Sequence, residues 1–258
     1  MADAETARRA IRVLDLTDLN EPSSAGAIEK LCARARLPVP EEPRLRAAAV
    51  CVWPAFVPLA KAALAGSGVK VATVVNFPSG GMAPGRVVAA TRATLGAGAD
   101  EIDLVVPWRA LLAGDPASVE ATCAAIKAVL PAGVPLKAIL ETGMLRDEAP
   151  IRAACRRAIA GGADMLKTST GKTPVNATPL AARVLLEESA RAGRPVGVKV
   201  SGGVRTTTDA AAYLALADEV RGQGWATAGT FRFGASGLLD ALISTVKGGV
   251  PKASATAY

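Results

Sequence analysis

The sequence repeats one pattern eight times: a short apolar run followed by an alanine-rich amphipathic stretch. The runs are RVLDLT, AAVCVW, KVATVVNF, EIDLVV, PLKAILE, DMLKTS, VGVKVS and TFRFGA. Prolines 84, 116, 150 and 179 stand near the predicted helix starts, and glycines 66, 98, 161 and 193 near the helix ends. Eight strand-helix units in 258 residues predict a single α/β domain, a (β/α)8 TIM barrel. We expect residues 251–258 to form a flexible C-terminal tail.

The alternation of side chains along each strand separates an apolar outer face from a charged inner face. The outward positions are Leu14, Leu16, Ile102, Leu104, Leu136, Leu140, Val196, Val198, Phe231 and Phe233. The inward positions are Asp15, Cys51, Glu101, Asp103, Lys137, Glu141, Lys167, Lys199 and Arg232. The four acids and four bases of this set balance, so they can pair inside the barrel. Structural ion pairs without chemistry are the alternative interpretation.

Residue usage excludes several kinds of catalytic site. The chain has no histidine, which removes Ser-His-Asp and Cys-His catalysis and histidine-based zinc sites. Cys32, Cys51, Cys123 and Cys155 are far apart, with no CxxC pair, so we predict reduced thiols and no metal site. Catalysis would have to use lysine, carboxylate, tyrosine, thiol or water.

The net charge of +7 is spread along the chain. No lysine-arginine block or basic stripe with interleaved aromatics indicates nucleic acid, so the charge favours an anionic small molecule. The N-terminus lacks the layout of a secretory signal, and no run of about 18 apolar residues could span a membrane. We therefore expect a cytoplasmic protein without nucleic-acid or membrane partners.

Two lysines interrupt neighbouring apolar strands. Lys167 and Lys199 lie on the sixth and seventh predicted strands, whose backbones would run about 4.8 Å apart. A nearby like charge and partial desolvation lower a lysine pKa, and an uncharged amine can form a Schiff base. Asp103 on the fourth strand could then transfer protons. Asp15 and Cys51 could line the same opening, although Cys51 is also explained as a small buried residue.

The loops after strands six, seven and eight carry glycines, hydroxyls and basic side chains. The segments STGK, SGGVR and GASG would lie where barrels commonly bind phosphate, and they bring Lys172 and Arg205 to that end. Thr168 and Thr170, beside Lys167, are further predicted substrate contacts. The three loops together indicate a phosphorylated substrate.

The motifs LDLTDLN, AAVCVWPAFV, VATVVNFPSG, EIDLVVPWRALLAG, LKAILETG, DMLKTSTGK, VGVKVSGGVRT and FRFGAS resemble those of the deoxyribose-phosphate aldolase family over nearly the whole chain. The resemblance implies a class I aldolase, without metal or cofactor, that reversibly cleaves 2-deoxy-D-ribose 5-phosphate into D-glyceraldehyde 3-phosphate and acetaldehyde. It assigns Lys167 as the Schiff-base nucleophile, Lys199 as the neighbouring cation and Asp103 as part of the proton relay.

The resemblance also implies substrate contacts. The phosphate contacts would be Gly171, Lys172, Gly202, Gly203, Val204, Arg205, Gly234 and Ser236. The terminal KASATAY is similar to a family tail whose tyrosine, here Tyr258, can fold over the site; a disordered last residue is the alternative. The family has proline and alanine where this chain has Val200 and Ser201, a departure predicted to alter loop stiffness and substrate tolerance. Family members are often dimers, so we expect a homo-oligomer.

Two alternatives remain open at this point. Another lysine-dependent barrel aldolase, such as a transaldolase-like enzyme, would share the fold and the lysine chemistry. A phosphosugar-binding protein without catalysis would use the lysines only to pair with Asp103, Glu101 and Glu141.

Overall fold

The structure is a computed structural model that describes residues 3–249. Its eight parallel strands close into a barrel in the order β1-β2-β3-β4-β5-β6-β7-β8. The strands are β1 Leu14–Asp18, β2 Ala49–Val52, β3 Lys70–Val75, β4 Glu101–Val105, β5 Leu136–Ile139, β6 Met165–Lys167, β7 Gly197–Ser201 and β8 Phe231–Ala235. The predicted single (β/α)8 barrel is confirmed.

Helices surround the barrel and separate consecutive strands. They are α1 Ala4–Arg12, α2 Ala25–Arg36, α3 Val57–Ala63, α4 Pro84–Gly96, α5 Trp108–Leu112, α6 Ala117–Lys127, α7 Thr142–Leu145, α8 Glu148–Ala160, α9 Pro179–Ala190, α10 Thr207–Arg221 and α11 Leu238–Val246. Three of these helices are additional to the eight that the strand-helix pattern predicts. Helix α1 precedes the barrel, capped by Asp3, while α5 and α7 are short segments inserted after β4 and β5.

The outer face of the strands is apolar because helices cover it. Leu14, Leu104, Val198, Phe231 and Phe233 are fully buried in one continuous core that includes the inner faces of the helices. Burial of such side chains contributes about 1.5–3 kcal/mol each. This core holds the strands in the register that positions the interior side chains.

Strand register stacks the interior side chains in four layers of four, each drawn from alternate strands. From the N-terminal to the C-terminal end, the layers are Ala49, Glu101, Met165 and Arg232; Asp15, Ala72, Lys137 and Lys199; Cys51, Asp103, Lys167 and Gly234; and Thr17, Val74, Ile139 and Ser201. Charged side chains occupy the first three layers. The uppermost layer is uncharged and lies directly above Lys167.

Within residues 3–249, no helix is both long enough and apolar enough to cross a membrane.

Candidate active site

The two lysines share one carboxylate oxygen in the barrel interior. Lys167 Nζ donates to Asp103 Oδ2 over 2.8 Å, and Lys199 Nζ donates to the same oxygen over 2.8 Å. All three side chains have 0% exposure. The strand register pairs Lys167 with Lys199 directly, so their amines are held near each other, as the sequence predicts.

Asp15 is a second carboxylate that joins several basic side chains, one layer below Asp103. Its Oδ2 accepts from Lys199 Nζ over 2.5 Å and from Lys137 Nζ over 3.1 Å, while its Oδ1 accepts from Arg232. Asp15 is fully buried one layer below Lys167. The structure thus places it under the opening that it is predicted to line, where it holds Lys199.

Lys137, Glu101 and Arg232 complete the base of this cluster. Lys137 Nζ lies 2.9 Å from Asp103 Oδ1 and 2.5 Å from Glu101 Oε2. Arg232 donates to Glu101 Oε1 over 2.8 Å. The buried ion cluster therefore contains four bases (Lys137, Lys167, Lys199 and Arg232) and three acids (Asp15, Glu101 and Asp103), and with all of them ionised it carries one surplus positive charge.

Charges in this cluster outweigh the effect of burial on several pKa values. Burial alone would raise the pKa of Asp103, but attraction by Lys137, Lys167 and Lys199 holds that pKa well below its ordinary value. Burial likewise opposes ionisation of Asp15, yet Arg232, Lys137 and Lys199 lower its pKa. Burial would lower the pKa of Lys137, but Asp103, Asp15 and Glu101 hold it well above its ordinary value. Asp15, Asp103 and Lys137 are therefore charged at neutral pH.

Cys51 lies in the same layer as Lys167 and Asp103. Its thiol is fully buried in a small apolar group with Leu19, Ala72 and Val74. Burial raises the pKa of this thiol, with a further contribution from the charge of Asp103. Cys51 therefore stays a neutral thiol at neutral pH, which agrees with the description of it as a small buried residue.

Most of the predicted phosphate contacts meet in one cavity at the C-terminal end of β7 and β8. The cavity is lined by Gly171, Asn176, Gly202, Gly203, Val204, Arg205, Gly234, Ala235, Ser236 and Gly237. Gly202 and Gly203 have positive φ angles of 78° and 83°, which L-residues with side chains rarely adopt. Gly237 also caps helix α11, whose N-terminus adds positive potential. These features suit an anionic group.

Three residues predicted to contact the substrate form hydrogen bonds within the protein. They are Thr168, Thr170 and Lys172. Thr168 Oγ1 accepts from the Ser201 N–H over 3.0 Å and donates to the Ser201 carbonyl over 3.2 Å. Thr170 Oγ1 donates to Glu141 over 2.5 Å. Lys172 Nζ donates to the Leu19 carbonyl over 2.7 Å. These residues join β6 and its loop to neighbouring segments, and their contacts with substrate stay predictions.

Glu141 is a correction to the strand-parity prediction. Its backbone turns into the left-handed region, with φ of 56°, two residues after β5 ends, so the alternation that assigns it to the interior ends before it. Its carboxylate accepts from the Thr170 N–H over 3.2 Å and from Thr173 Oγ1 over 3.2 Å. Glu141 thus orders the loop after β6 and has no base partner among the residues described.

Asn176 lines the anion cavity but has no motif that singles it out in the sequence, whereas Gly237, which also lines it, ends the predicted GASG segment. A Cβ on Gly202 would come 2.7 Å from Asn176 side-chain atoms, so the glycine leaves room for this side chain. Tyr258 and the predicted tail lie outside the described residues. In residues 3–249, no group of three or more acidic or cysteine side chains is arranged to hold a metal ion.

Comparisons with known proteins agree with this geometry. The DeoC/LacD family aldolase profile matches residues 9–239. The chain is 46% identical over 255 residues to the deoxyribose-phosphate aldolase of Agrobacterium fabrum, covering 98% of this chain and 96% of the relative.

Two solved structures share the fold. A candidate deoxyribose-phosphate aldolase from Toxoplasma gondii ME49 superimposes with a TM-score of 0.85 at 25% identity, over 95% of each chain. The deoxyribose phosphate aldolase of Aeropyrum pernix gives a TM-score of 0.72 at 24% identity, over 93% of this chain and 91% of that one. The resemblance noted in the sequence is thereby confirmed, and the chain, an aldolase and so a carbon–carbon lyase, belongs to the DeoC/LacD aldolase family.

Proposed function

We propose that this protein is a class I deoxyribose-phosphate aldolase that reversibly cleaves 2-deoxy-D-ribose 5-phosphate into D-glyceraldehyde 3-phosphate and acetaldehyde. The observation that carries the proposal is the pair of buried amines on one oxygen of Asp103, adjacent to a glycine-lined anion cavity. The 46% identity to the Agrobacterium fabrum enzyme over nearly the full chain supports the substrate.

Lys167 is the nucleophile in this proposal. It lies in the third layer, one layer closer to the C-terminal opening than Lys199, and its amine has one acidic partner. Lys199 is held between Asp15 and Asp103. Addition to a carbonyl uses the unprotonated form of the Lys167 amine.

The reaction then proceeds through a Schiff base. The Lys167 amine adds to the C1 carbonyl of the open-chain sugar, and loss of water gives a protonated imine. Removal of the C3 hydroxyl proton breaks the C2–C3 bond, and its electron pair moves into the imine to form an enamine. Glyceraldehyde 3-phosphate leaves. Protonation of C2 and hydrolysis by water release acetaldehyde and restore the amine.

Asp103 transfers protons together with bound water in this scheme. Its carboxylate touches Lys167, Lys199 and Lys137, so it is placed to exchange a proton with the amine that reacts. Lys199 acts as a fixed cation that stabilises the charge of Asp103. The low pKa of Asp103 makes it an anion at rest.

The phosphate of the substrate would occupy the anion cavity. Gly202 and Gly203 leave it open at the end of β7, and Arg205 supplies a cation. We include Gly171, Lys172, Val204, Gly234 and Ser236 among the proposed contacts. Binding the phosphate at β7 and β8 directs the carbonyl end of the sugar toward Lys167 on β6.

Borohydride reduction in the presence of acetaldehyde tests the nucleophile. We expect a two-carbon adduct that peptide mapping places on Lys167, and no adduct in Lys167→Met. Lys247→Met is the control, because Lys247 pairs with Glu41 on the surface, and it should trap the adduct as the wild type does. Labelling of Lys199 instead, or of neither lysine, would contradict the assignment.

Substrate comparison separates this proposal from other lysine-dependent aldolases. We expect kcat/KM for 2-deoxyribose 5-phosphate to exceed that for ribose 5-phosphate and fructose phosphates. A preference for either of the latter would favour a transaldolase-like enzyme.

The oligomeric state and the compartment belong to the same proposal. We expect a homodimer in the cytoplasm, by resemblance to the family. Light scattering coupled to size exclusion measures the mass in solution, and a monomer at micromolar concentration would contradict a stable dimer.

A further inference from the structure

The buried polar atoms that lack hydrogen-bond partners are concentrated at one part of the barrel. Among residues 3–249, and apart from Asp103 Oδ1, which Lys137 Nζ approaches to 2.9 Å, these atoms are Trp108 Nε1, Thr142 Oγ1, Ser169 Oγ, Asn176 Oδ1 and Ser201 Oγ. These five lie at or beyond the C-terminal ends of β4 to β7. Buried polar groups are nearly always paired in native proteins. Their concentration at the C-terminal end of the barrel indicates that a polar ligand completes part of the pairing there.

Ser201 Oγ is the unpartnered atom best placed to meet a substrate. Ser201 ends β7, two residues after Lys199, and its side chain stands in the layer directly above Lys167. Its exposure is 0%. The two hydrogen bonds with Thr168 fix the Ser201 backbone on both its N–H and its carbonyl. The Cα–Cβ direction of Ser201 is therefore fixed by its backbone.

The Ser201 hydroxyl lies beside residues that line the anion cavity. A Cβ added to Gly234 would overlap Ser201 Oγ, so the hydroxyl lies against the bare backbone of β8. Gly234 and the next residue along β7, Gly202, both line the cavity. Ser201 Oγ thus lies between the proposed phosphate position and the proposed Schiff base on Lys167.

We propose that Ser201 is a specificity-determining residue whose hydroxyl hydrogen-bonds the hydroxyl on the carbon next to the phosphorylated carbon of the substrate. In the aldehyde acceptor this group is the 2-hydroxyl of glyceraldehyde 3-phosphate. The inference rests on the proposed function, which places C1 at Lys167 and the phosphate in the cavity.

The substrate hydroxyl that meets Ser201 is identified from the placement of the two ends of the sugar, C1 at Lys167 and the phosphate in the cavity. The C3 oxygen must face the groups that remove its proton, which are Asp103 and water on the β4 side. Ser201 adjoins the cavity on the β7 side, so it meets the next hydroxyl toward the phosphate, on C4. A site that hydrogen-bonds a substrate hydroxyl discriminates against an analogue lacking that hydroxyl, because the protein group is left unpaired.

The test compares two acceptors in the addition of acetaldehyde: D-glyceraldehyde 3-phosphate and 3-oxopropyl phosphate, which lacks the 2-hydroxyl. We expect the wild type to favour the hydroxylated acceptor in kcat/KM, and Ser201→Ala to reduce that preference about tenfold. Ser118→Ala, which removes a hydroxyl bonded to the Asp115 carbonyl on the outer helix α6, should leave the ratio unchanged. Thermal unfolding verifies that both variants fold.

The outcomes separate this inference from the function on which it rests. An active wild type whose Ser201→Ala variant keeps the same acceptor ratio would overturn the inference alone. Equal losses of kcat/KM for both acceptors would also overturn it, because they would place the hydroxyl at the phosphate. A wild type that adds acetaldehyde to neither acceptor would overturn the proposed function and this inference together.

Discussion

Lys172 donates from Nζ to the backbone carbonyl of Leu19 over 2.7 Å, which ties the loop after β6 to the loop after β1 across the barrel opening. Leu19 itself is buried against Cys51 and Val74. The bond therefore lies at the C-terminal end of the interior that contains Lys167. A phosphate would compete for this amine, because it adds the attraction of an opposite charge that the neutral Leu19 carbonyl lacks.

Lys172→Met should separate phosphate binding from the chemistry at Lys167. We expect kcat/KM for 2-deoxyribose 5-phosphate to fall about 10- to 100-fold, because a hydrogen bond to a charged group contributes about 1.5–3 kcal/mol. Activity on unphosphorylated 2-deoxyribose should change by less than about threefold, within the value of one neutral hydrogen bond. Steady-state kinetics with both sugars measures the difference. Equal losses with both would place Lys172 outside phosphate recognition.

Asp103→Asn should impair both catalysis and folding. The substitution keeps the shape but removes the anion that Lys167 and Lys199 share. We expect kcat to fall about 10²- to 10⁴-fold through loss of proton transfer. The free energy of unfolding should fall by about 3–5 kcal/mol, because buried cations lose their partner. Urea denaturation and turnover measure the two effects.

The control for Asp103→Asn is an exposed ion pair. Asp240 pairs with Arg34 on the surface, and both side chains are exposed. Asp240→Asn should change the free energy of unfolding by less than about 1 kcal/mol and leave kcat unchanged. Normal turnover by Asp103→Asn would exclude Asp103 from the proton relay.

Replacing Lys199 tests its role as the neighbouring cation. Lys199→Met removes the cation that shares Asp103 Oδ2 with Lys167, so we expect kcat to fall about 10²-fold. Lys199→Arg keeps a cation, and its kcat should stay closer to that of the wild type. Steady-state kinetics with 2-deoxyribose 5-phosphate measures the difference, and thermal unfolding verifies that both variants fold. Equal losses in the two variants would show that the reaction does not depend on the positive charge of Lys199.

Strand parity predicted the interior correctly wherever a regular strand continues. The seven members of the buried ion cluster are all inward-facing residues of β1, β4, β5, β6, β7 and β8. Alternation is reliable there because helices cover the outer face of every strand and exclude charge from it. It failed at Glu141, where the positive φ angle redirects the chain into a loop contact.

Loop geometry lies beyond what periodicity can predict. Asn176 reaches the anion cavity from the loop between β6 and α9, and no repeating pattern indicates where a loop side chain points. The Ser201 hydroxyl is similar, since its lack of a partner depends on the position of Thr168 and Gly234. Both features depend on contacts between segments that are distant in the sequence. The glycines and lysines of the motifs, in contrast, are recognised from short stretches of sequence.

The buried aspartates predict a specific pH dependence of stability. The pKa of Asp15 is lowered in the fold, with Arg232, Lys137 and Lys199 outweighing burial. Its contribution is therefore present above the unfolded pKa and is lost as pH falls toward the folded pKa. We expect the stability difference between wild type and Asp15→Asn to be constant from pH 5 to pH 8 and to shrink below about pH 4.

Chemical denaturation at pH 7, 5 and 3 measures this difference. Lys137 has the opposite sign: its raised pKa stabilises the fold below the unfolded lysine pKa and ceases to do so as pH rises through the folded value. The cluster should therefore give a broad stability plateau around neutrality. A difference that persists unchanged to pH 3 would contradict the lowered pKa of Asp15.

Gly234→Ala should inactivate the enzyme through sterics alone. A Cβ at Gly234 would overlap Ser201 Oγ and come 2.9 Å from Lys199 Cε, so both side chains would have to move. Displacement of a reacting group by about 1 Å costs about 10²-fold in rate, and overpacking costs about 1–3 kcal/mol of stability. Turnover, acetaldehyde trapping and thermal unfolding of the variant measure these effects. Gly26→Ala in α2, where a Cβ meets nothing within 4 Å, is the matched control and should keep full activity. An active Gly234→Ala variant would mean that the positions of Lys199 and Ser201 are not critical to the reaction.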